Sequence, residues 1–215
     1  MAPQRIIAEL QRALPVDGIV TCDAGENRIF MNHFFQTKSA GTFIQAAGAG
    51  PMGFAIPAAM SAKLLYPDSM VVAVCGDGGF AMTMNGLMTA IENDLPIVTV
   101  VLNNHALGWS MHSRGDFATR AQSDRRGSDW ALAIEVWRAL LPPRRFHLVG
   151  KCSRLGQFNH AAIARSIGCH GVSVQDPEEL VGAFAAAFER RIPTVIDVET
   201  SLDTSFSDLM TPLAK

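Results

Sequence analysis

Gly76-Asp77-Gly78-Gly79 and Asn103-Asn104 are the residues whose types and spacing could do chemistry. A carboxylate and an amide oxygen are hard donors of the kind magnesium takes, together with retained water and the oxygens of a ligand phosphate. The glycines remove the Cβ atoms that would hold a phosphate at a distance, and successive backbone N–H groups there can form an anion nest leading into a helix. The two segments therefore read as a clamp for magnesium and a diphosphate, with Asp77 and the Asn104 amide oxygen as side-chain donors. A diphosphate already brings several negative charges, so a neutral amide suits the second position better than another carboxylate.

The elements around the clamp are those that would bring its halves together. Val71 to Cys75 is a compact apolar run that leads straight into Gly76, which puts Asp77 at the carboxyl end of a buried strand, where open α/β sheets bind ligands. Between Gly78 and Asn103 lie 24 residues, enough for a helix and the next strand. A right-handed crossover then returns Asn103-Asn104 to the same sheet edge. By itself a Gly-Asp-Gly triplet reads as a turn. Strand, Gly-Asp-Gly-Gly, helix, strand and Asn-Asn together are far more specific. They also differ from the dinucleotide fingerprint, which needs Gly-x-Gly-x-x-Gly early in the chain and an acid after the following strand.

The rest of the chain supports a doubly wound, mainly parallel α/β sheet with helices on both faces. Met70 to Cys75, Ile97 to Leu102, Gly171 to Val174 and Thr194 to Val198 are largely β-branched runs without alternation, as expected of strands covered on both faces. Gly18 to Cys22 is a further short strand, preceded by a helix whose apolar positions are Ile6, Ile7, Leu10, Ala13 and Leu14. Helices are expected over Phe54–Leu65, Met82–Asn93, Ala161–Ile167 and Pro177–Arg190, the last with Asp176 as N-cap and Pro177 in its first turn. Residues 1–200 form one domain in this reading, with an insertion at about 120–156 and a tail over 201–215. Arg125-Arg126, Pro142-Pro143 and Arg144-Arg145 mark the insertion.

Composition narrows the function classes. With 215 residues, 48% of them hydrophobic and 18% charged, the chain can bury a substantial core, and its formal charge of -2 gives no footprint for nucleic acid or an acidic membrane surface. A small-molecule ligand is expected. The four cysteines, Cys22, Cys75, Cys152 and Cys169, show no Cys-x-x-Cys spacing, and three of them lie in or beside apolar runs that fit reduced, buried thiols. No run reaches the roughly 18 apolar residues that span a bilayer. Glu9, Asp17 and Pro15 break up the first 20 residues, so no leader is read there and a cytoplasmic location is expected.

With these residues in view, the sequence resembles the thiamine-diphosphate-dependent enzymes of the acetolactate synthase and 2-oxo acid decarboxylase type, in their C-terminal diphosphate-binding domain. The resemblance covers most of residues 3–118 and 158–200. It rests on Pro3-Gln4-Arg5-Ile6-Ile7, Gly50-Pro51-Met52-Gly53-Phe54 with Pro57-Ala58-Ala59, the Gly-Asp-Gly to Asn-Asn motif, and Leu107-Gly108. It implies that Asp77, Asn104 and the backbone carbonyl of Ala106 hold Mg2+, with Asn103 in a supporting role. Gly76, Gly78, Gly79 and Phe80 would meet the diphosphate through the backbone, with Leu107 and Gly108 beside them. Gly50 would accept a hydrogen bond from the pyrimidine amino group, and Met52 would be the apolar wedge under the cofactor.

Gly25-Glu26-Asn27 matches a further diphosphate-binding loop, in which a neutral glutamine is usual where Glu26 stands. An ionised Glu26 facing the diphosphate would be repelled unless Arg28 or another cation paired it, so Gly25 and Asn27 rank above it. Trp109, Ser110, Met111 and His112 fall where the family lines its substrate pocket. His33, His105 and His112 are acid/base candidates whose plainer reading is structural, since no spacing ties them to a partner.

The activity implied is 2-oxo acid decarboxylation or carboligation on thiamine diphosphate. The family's activating glutamate lies on a pyrimidine-binding domain, which these residues do not contain. The resemblance therefore implies a pyrimidine-binding partner subunit or domain, an oligomer, and no turnover by this chain alone. The alternative is a non-catalytic cofactor-binding remnant or assembly protein.

Overall fold

The computed structural model describes residues 1–112 and 153–203. Most of the expected insertion and of the tail lies outside them. Six strands form one sheet, β1 (Ile19–Cys22), β2 (Phe43–Gln45), β3 (Val71–Gly76), β4 (Val98–Asn103), β5 (His170–Val174) and β6 (Thr194–Glu199), in the spatial order β2-β1-β3-β4-β6-β5. Among the described residues every strand pairing in the sheet is parallel, so the sheet is of the expected α/β type.

Helices cover both faces. On one side, α1 (Pro3–Ala13), α2 (Glu26–Phe34) and α7 (Glu179–Glu189) pack Ile6, Leu10, Phe30, Leu180 and Phe184 against Val72, Val74, Val98, Val100, Ile196 and Val198. On the other, α3 (Ala55–Leu65), α4 (Asp77–Thr83), α5 (Gly86–Glu92) and α6 (His160–Ser166) pack Ile56, Ala59, Phe80, Leu87 and Ala164 against Val71, Ala73, Cys75, Val101 and Val195. Neighbouring residues of one strand thus enter opposite cores, which is why the strand sequences are apolar throughout instead of alternating. Cys22, Cys75 and Cys169 are free and buried, and burial pushes all three thiols up, Cys169 to about 11.

Several expected boundaries shift. The helix read over Met82–Asn93 is two helices, since α4 already opens at Asp77 and the chain breaks between Thr83 and Gly86, where Gly86 packs closely on Met60 of α3. Asp176 caps a turn rather than the last helix. Its Oδ1 accepts the Glu178 N–H at 3.0 Å, and α7 starts only at Glu179. Gly25-Glu26-Asn27 is not a loop, because Glu26 opens α2, with Gly25 at φ 104° before it. The three-residue edge strand β2 was not expected from the sequence. Residues 153–155 are described at the end of the expected insertion. Ser153 accepts the Leu107 N–H at 2.7 Å and Leu155 donates to the His105 carbonyl at 2.8 Å, so they brace the turn after β4.

The chain leaves β1 for β2 at one edge and returns to β3 on the other side of β1. The carboxyl ends of β1 and β3 therefore flank the point where the winding reverses, which is where open α/β sheets form their crevice.

Candidate functional site

A cavity of about 260 Å³ opens at this switch point. The strand order brings five segments to it: Gly25 to Arg28 after β1, Gly50 and Met52 before α3, Gly76 to Gly79 at the end of β3, Asn104 and Ala106 to Ser110 after β4, and Thr200 and Ser201 after β6. Apart from Phe80, the expected cofactor residues Gly25, Asn27, Gly50, Met52, Gly76, Gly78, Gly79, Leu107 and Gly108 all line it, as do Asp77, Asn104 and Ala106. The Phe80 ring is fully buried in the core, which leaves its backbone in the first turn of α4 as the part nearest the opening.

Asp77 is 4% exposed, and its carboxylate bridges the two halves of the motif. Oδ1 accepts the Gly78 N–H at 2.7 Å and Oδ2 accepts the Ala106 N–H at 3.0 Å. The same Ala106 N–H also reaches Asn104 Oδ1 at 3.1 Å, so the oxygens of Asp77 and Asn104 converge on one donor. Burial raises the Asp77 carboxyl above its ordinary value, while the N–H groups of Gly78 and Ala106 and the nearby His160 and His105 oppose the rise. A buried carboxylate to which no arginine or lysine is bound among the described residues, beside the Asn104 amide oxygen, is a favourable place for a divalent cation.

The glycines are tight where the cavity needs a wall and open where it needs a floor. A Cβ on Gly78 would come within 2.6 Å of Leu107 and 2.9 Å of Met52, whereas one on Gly76 would meet nothing within 4 Å. Gly50 has φ +62°, a left-handed conformation that side chains rarely adopt.

The residues around the rim arrange differently from expectation. Asn27 turns its amide NH2 inward, towards the carbonyls of Asp23 (3.3 Å) and Val74 (3.5 Å), and so ties α2 to the sheet. Glu26 is 7% exposed and does face the cavity. Its partner is not Arg28, whose Nη1 donates to the Ala46 carbonyl at 3.1 Å. Glu26 Oε1 instead lies 2.5 Å from Nδ1 of His112, and its other oxygen fills the space that a side chain on Gly108 would need. His112 is therefore tied to a partner 86 residues away. His33 bonds only its own helix, Nδ1 lying 2.9 Å from the Ile29 carbonyl.

Two buried groups escaped the sequence reading. Asp23 is 0% exposed and accepts N–H groups from Ala24 (2.7 Å), Gly53 (2.9 Å) and Ala55 (3.3 Å), which fastens the Gly50–Phe54 segment behind Gly79. Burial raises its carboxyl and these N–H bonds hold the rise down. Its signal was present: an acid directly after the buried strand Ile19–Cys22, the same placement that singled out Asp77. The second is Asp197 in the middle of β6, bonded to Asn103 and His160. A charged residue inside an otherwise apolar strand had to find buried partners.

The fold and the opening at its switch point define a doubly wound α/β domain whose cavity is built from glycines, one buried carboxylate and one amide. The chain belongs to the thiamine pyrophosphate enzymes: residues 23–198 match the family described as "Thiamine pyrophosphate enzyme, C-terminal TPP binding domain". It is 31% identical over 198 residues to the putative thiamine pyrophosphate-containing protein YdaP of Bacillus subtilis, covering 92% of this chain and 29% of that protein. It is 40% identical over 128 residues to a probable acetolactate synthase large subunit of Methanocaldococcus jannaschii, over 57% of this chain and 22% of that one. With acetolactate synthase isozyme 3 large subunit of Escherichia coli it shares 28% over 204 residues, 94% of this chain and 31% of that one. The chain thus spans less than a third of the length of these curated relatives. Among solved structures, a thiamine diphosphate-dependent 4-hydroxybenzoylformate decarboxylase from Rhodococcus jostii RHA1 shares the fold, with a TM-score of 0.72 at 23% identity over 95% of this chain and 33% of that one. Among the described residues no helix is long and apolar enough to cross a membrane.

Proposed function

We propose that this chain is the thiamine-diphosphate- and Mg2+-binding component of an acetolactate-synthase-like enzyme for 2-oxo acid decarboxylation or carboligation, completed by a pyrimidine-binding partner subunit or domain. The observation that carries the proposal is the convergence of Asp77 Oδ2 and Asn104 Oδ1 on the Ala106 N–H, at 3.0 and 3.1 Å. Two hard oxygens and the peptide group whose carbonyl is the expected third donor are thereby gathered at one corner of the cavity. Among the described residues no three His, Cys, Asp or Glu side chains cluster as a metal site, so the clamp is an oxygen site short of ligands, suited to a cation that keeps water and phosphate oxygens.

In this proposal Asp77, Asn104 and the Ala106 carbonyl hold Mg2+, and the backbone of Gly76, Gly78, Gly79 and Phe80 takes the diphosphate with Gly25, Leu107 and Gly108 close by. Asn27 acts indirectly, by holding α2 in place. Gly50 and Met52 orient the rest of the cofactor, and the Glu26 carboxylate at the cavity rim is held by the His112 ring. When bound, thiamine diphosphate supplies the electron sink for breaking the bond beside the carbonyl of a 2-oxo acid. This chain binds and orients that group, and the partner domain supplies the glutamate that activates it. An enzyme of this organisation works in the cytoplasm as a homo- or hetero-oligomer.

The test is titration calorimetry of thiamine diphosphate with and without Mg2+, on the chain reconstituted with a pyrimidine-binding partner. Binding that requires Mg2+ is expected, and no binding even in the complex overturns the proposal. A non-catalytic remnant is the second reading, because Glu26 departs from the neutral residue usual at its place. It predicts binding without turnover in the same complex.

A further inference from the structure

His160, which does not line the cavity, touches Phe80 just after the Gly-Asp-Gly-Gly half of the clamp and Asn103 of the Asn-Asn half, its Nδ1 lying 3.2 Å from the Asn103 amide nitrogen. Its backbone N–H at the start of α6 donates to Asp197 Oδ2 at 2.8 Å, and its ring Nδ1 lies 3.3 Å from Asp197 Oδ1. Asp197 Oδ1 also accepts the Asn103 amide at 3.0 Å. Asn103 in turn uses its Oδ1 to accept the His105 N–H at 3.3 Å, within the turn that carries Asn104 and Ala106. The His160 ring also meets the Phe80 ring edge to face, with centroids 5.1 Å apart and planes at 82°, in the first turn of α4 just after Asp77. His160, Asn103, Asp197 and Phe80 are all buried.

We infer that His160, held by Asp197, is a positioning residue that keys the Gly-Asp-Gly half of the clamp to the Asn-Asn half. The inference rests on the magnesium reading of the clamp and adds the group that sets its geometry. β3 and β4 fix where Asp77 and Asn104 leave the sheet, but the turn over Asn103–Ala106 extends beyond the last ladder bond. There His105 adopts φ 55°, a conformation that a residue with a side chain keeps only when its surroundings impose it. The chain of bonds from Asp197 through Asn103 to His105 imposes it from one side, and the His160 ring on Phe80 ties α4 to the same anchor. Neither contact involves an atom expected to touch the metal. Groups that orient ligands in this way typically change metal affinity by 10- to 100-fold when removed.

Two substitutions divide the two contacts. His160→Phe keeps an aromatic ring against Phe80 and the backbone N–H bond to Asp197 Oδ2, and loses only the ring nitrogen beside Asp197 Oδ1. His160→Asn loses the ring and keeps an amide where Nδ1 stood. Amide hydrogen exchange in the full chain reads the geometry without any ligand. In His160→Phe, exchange at His105 and Ala106 is expected to accelerate at least tenfold more than at Val100 in the middle of β4, and in His160→Asn to return towards wild type. Mg2+ titration of the full chain with thiamine diphosphate and its partner gives the second readout. A 10- to 100-fold weaker Mg2+ affinity is expected for His160→Phe, with the smaller loss for His160→Asn. Equal acceleration at His105, Ala106 and Val100 in both variants means that His160 only stabilises the fold, and overturns the inference. If the wild-type complex takes up no Mg2+, the magnesium reading fails instead, and the exchange pattern still decides the role of His160.

Discussion

Asp77 and Ala106 are 29 residues apart, yet Oδ2 of the first accepts the backbone N–H of the second at 3.0 Å. The bond closes the corner between β3 and β4 and places the carboxyl group without any ligand. Asp77→Ala should therefore abolish Mg2+-dependent binding of thiamine diphosphate, with a loss larger than the roughly 10- to 100-fold typical of outer-shell groups. Calorimetry at saturating Mg2+ checks this, and unchanged affinity would show that the acid is not a ligand.

Gly78 and Gly171 separate the cavity from the fold. A Cβ on Gly78 would meet the flexible ends of Leu107 (2.6 Å) and Met52 (2.9 Å), so Gly78→Ala should fold and lose cofactor affinity as those side chains are pushed towards the opening. A Cβ on Gly171 would overlap the backbone carbonyl of Ala161, where α6 crosses β5. Gly171→Ala should cost about 1–3 kcal/mol in urea unfolding, the usual range for overpacking.

Asp197 gives stability a pH dependence of known sign. Burial pulls its carboxyl up, but the hydrogen bond and charge of His160, with the Asn103 amide, more than offset this, so its folded pKa lies below the ordinary 3.8. Its contribution is then complete above pH 3.8 and is lost as pH falls through the lower folded value. Asp197→Asn should cost about 1–3 kcal/mol at neutral pH. The gap between wild type and variant should narrow in acid, as urea midpoints measured over a pH series will show. Asp23 works with the opposite slope. Its folded pKa is raised, so its contribution becomes less favourable as pH rises from 3.8 through the folded value.

Glu26→Gln tests the charge at the cavity rim. Glutamine retains an oxygen that can accept from His112 and removes a negative charge from the space proposed for a diphosphate. Thiamine diphosphate affinity should rise by roughly three- to tenfold, the scale of removing one like charge at the rim, and the gain should shrink in high salt. A weaker affinity would show that the carboxylate itself serves the ligand.

The readable and unreadable parts of the sequence divide along physical lines. β3 and β4 were legible because strands covered on both faces must be apolar at every position, and the polar residues at their ends then stand out. Helix α2 was not, since Gly25 opens it at φ 104° without a side-chain cap, and the residues that follow look like an extension of the loop. Edge strand β2 has only Phe43, Ile44 and Gln45, all half-buried, too short a run for either periodicity to show.

By itself the sequence determined the parallel α/β sheet, the family, and the placing of Asp77 and Asn104 at adjacent strand ends, because those follow from local hydrophobic runs and from the short reach of one crossover. Only the tertiary structure decided the partners. Glu26 meets His112 rather than Arg28, Asn27 turns to the sheet, Asp23 fastens Gly53, and Asp197 joins Asn103 to His160. Each of these is a side-chain contact between separate elements, set by strand order and helix orientation. Local propensity carries no information about which buried polar group will satisfy another.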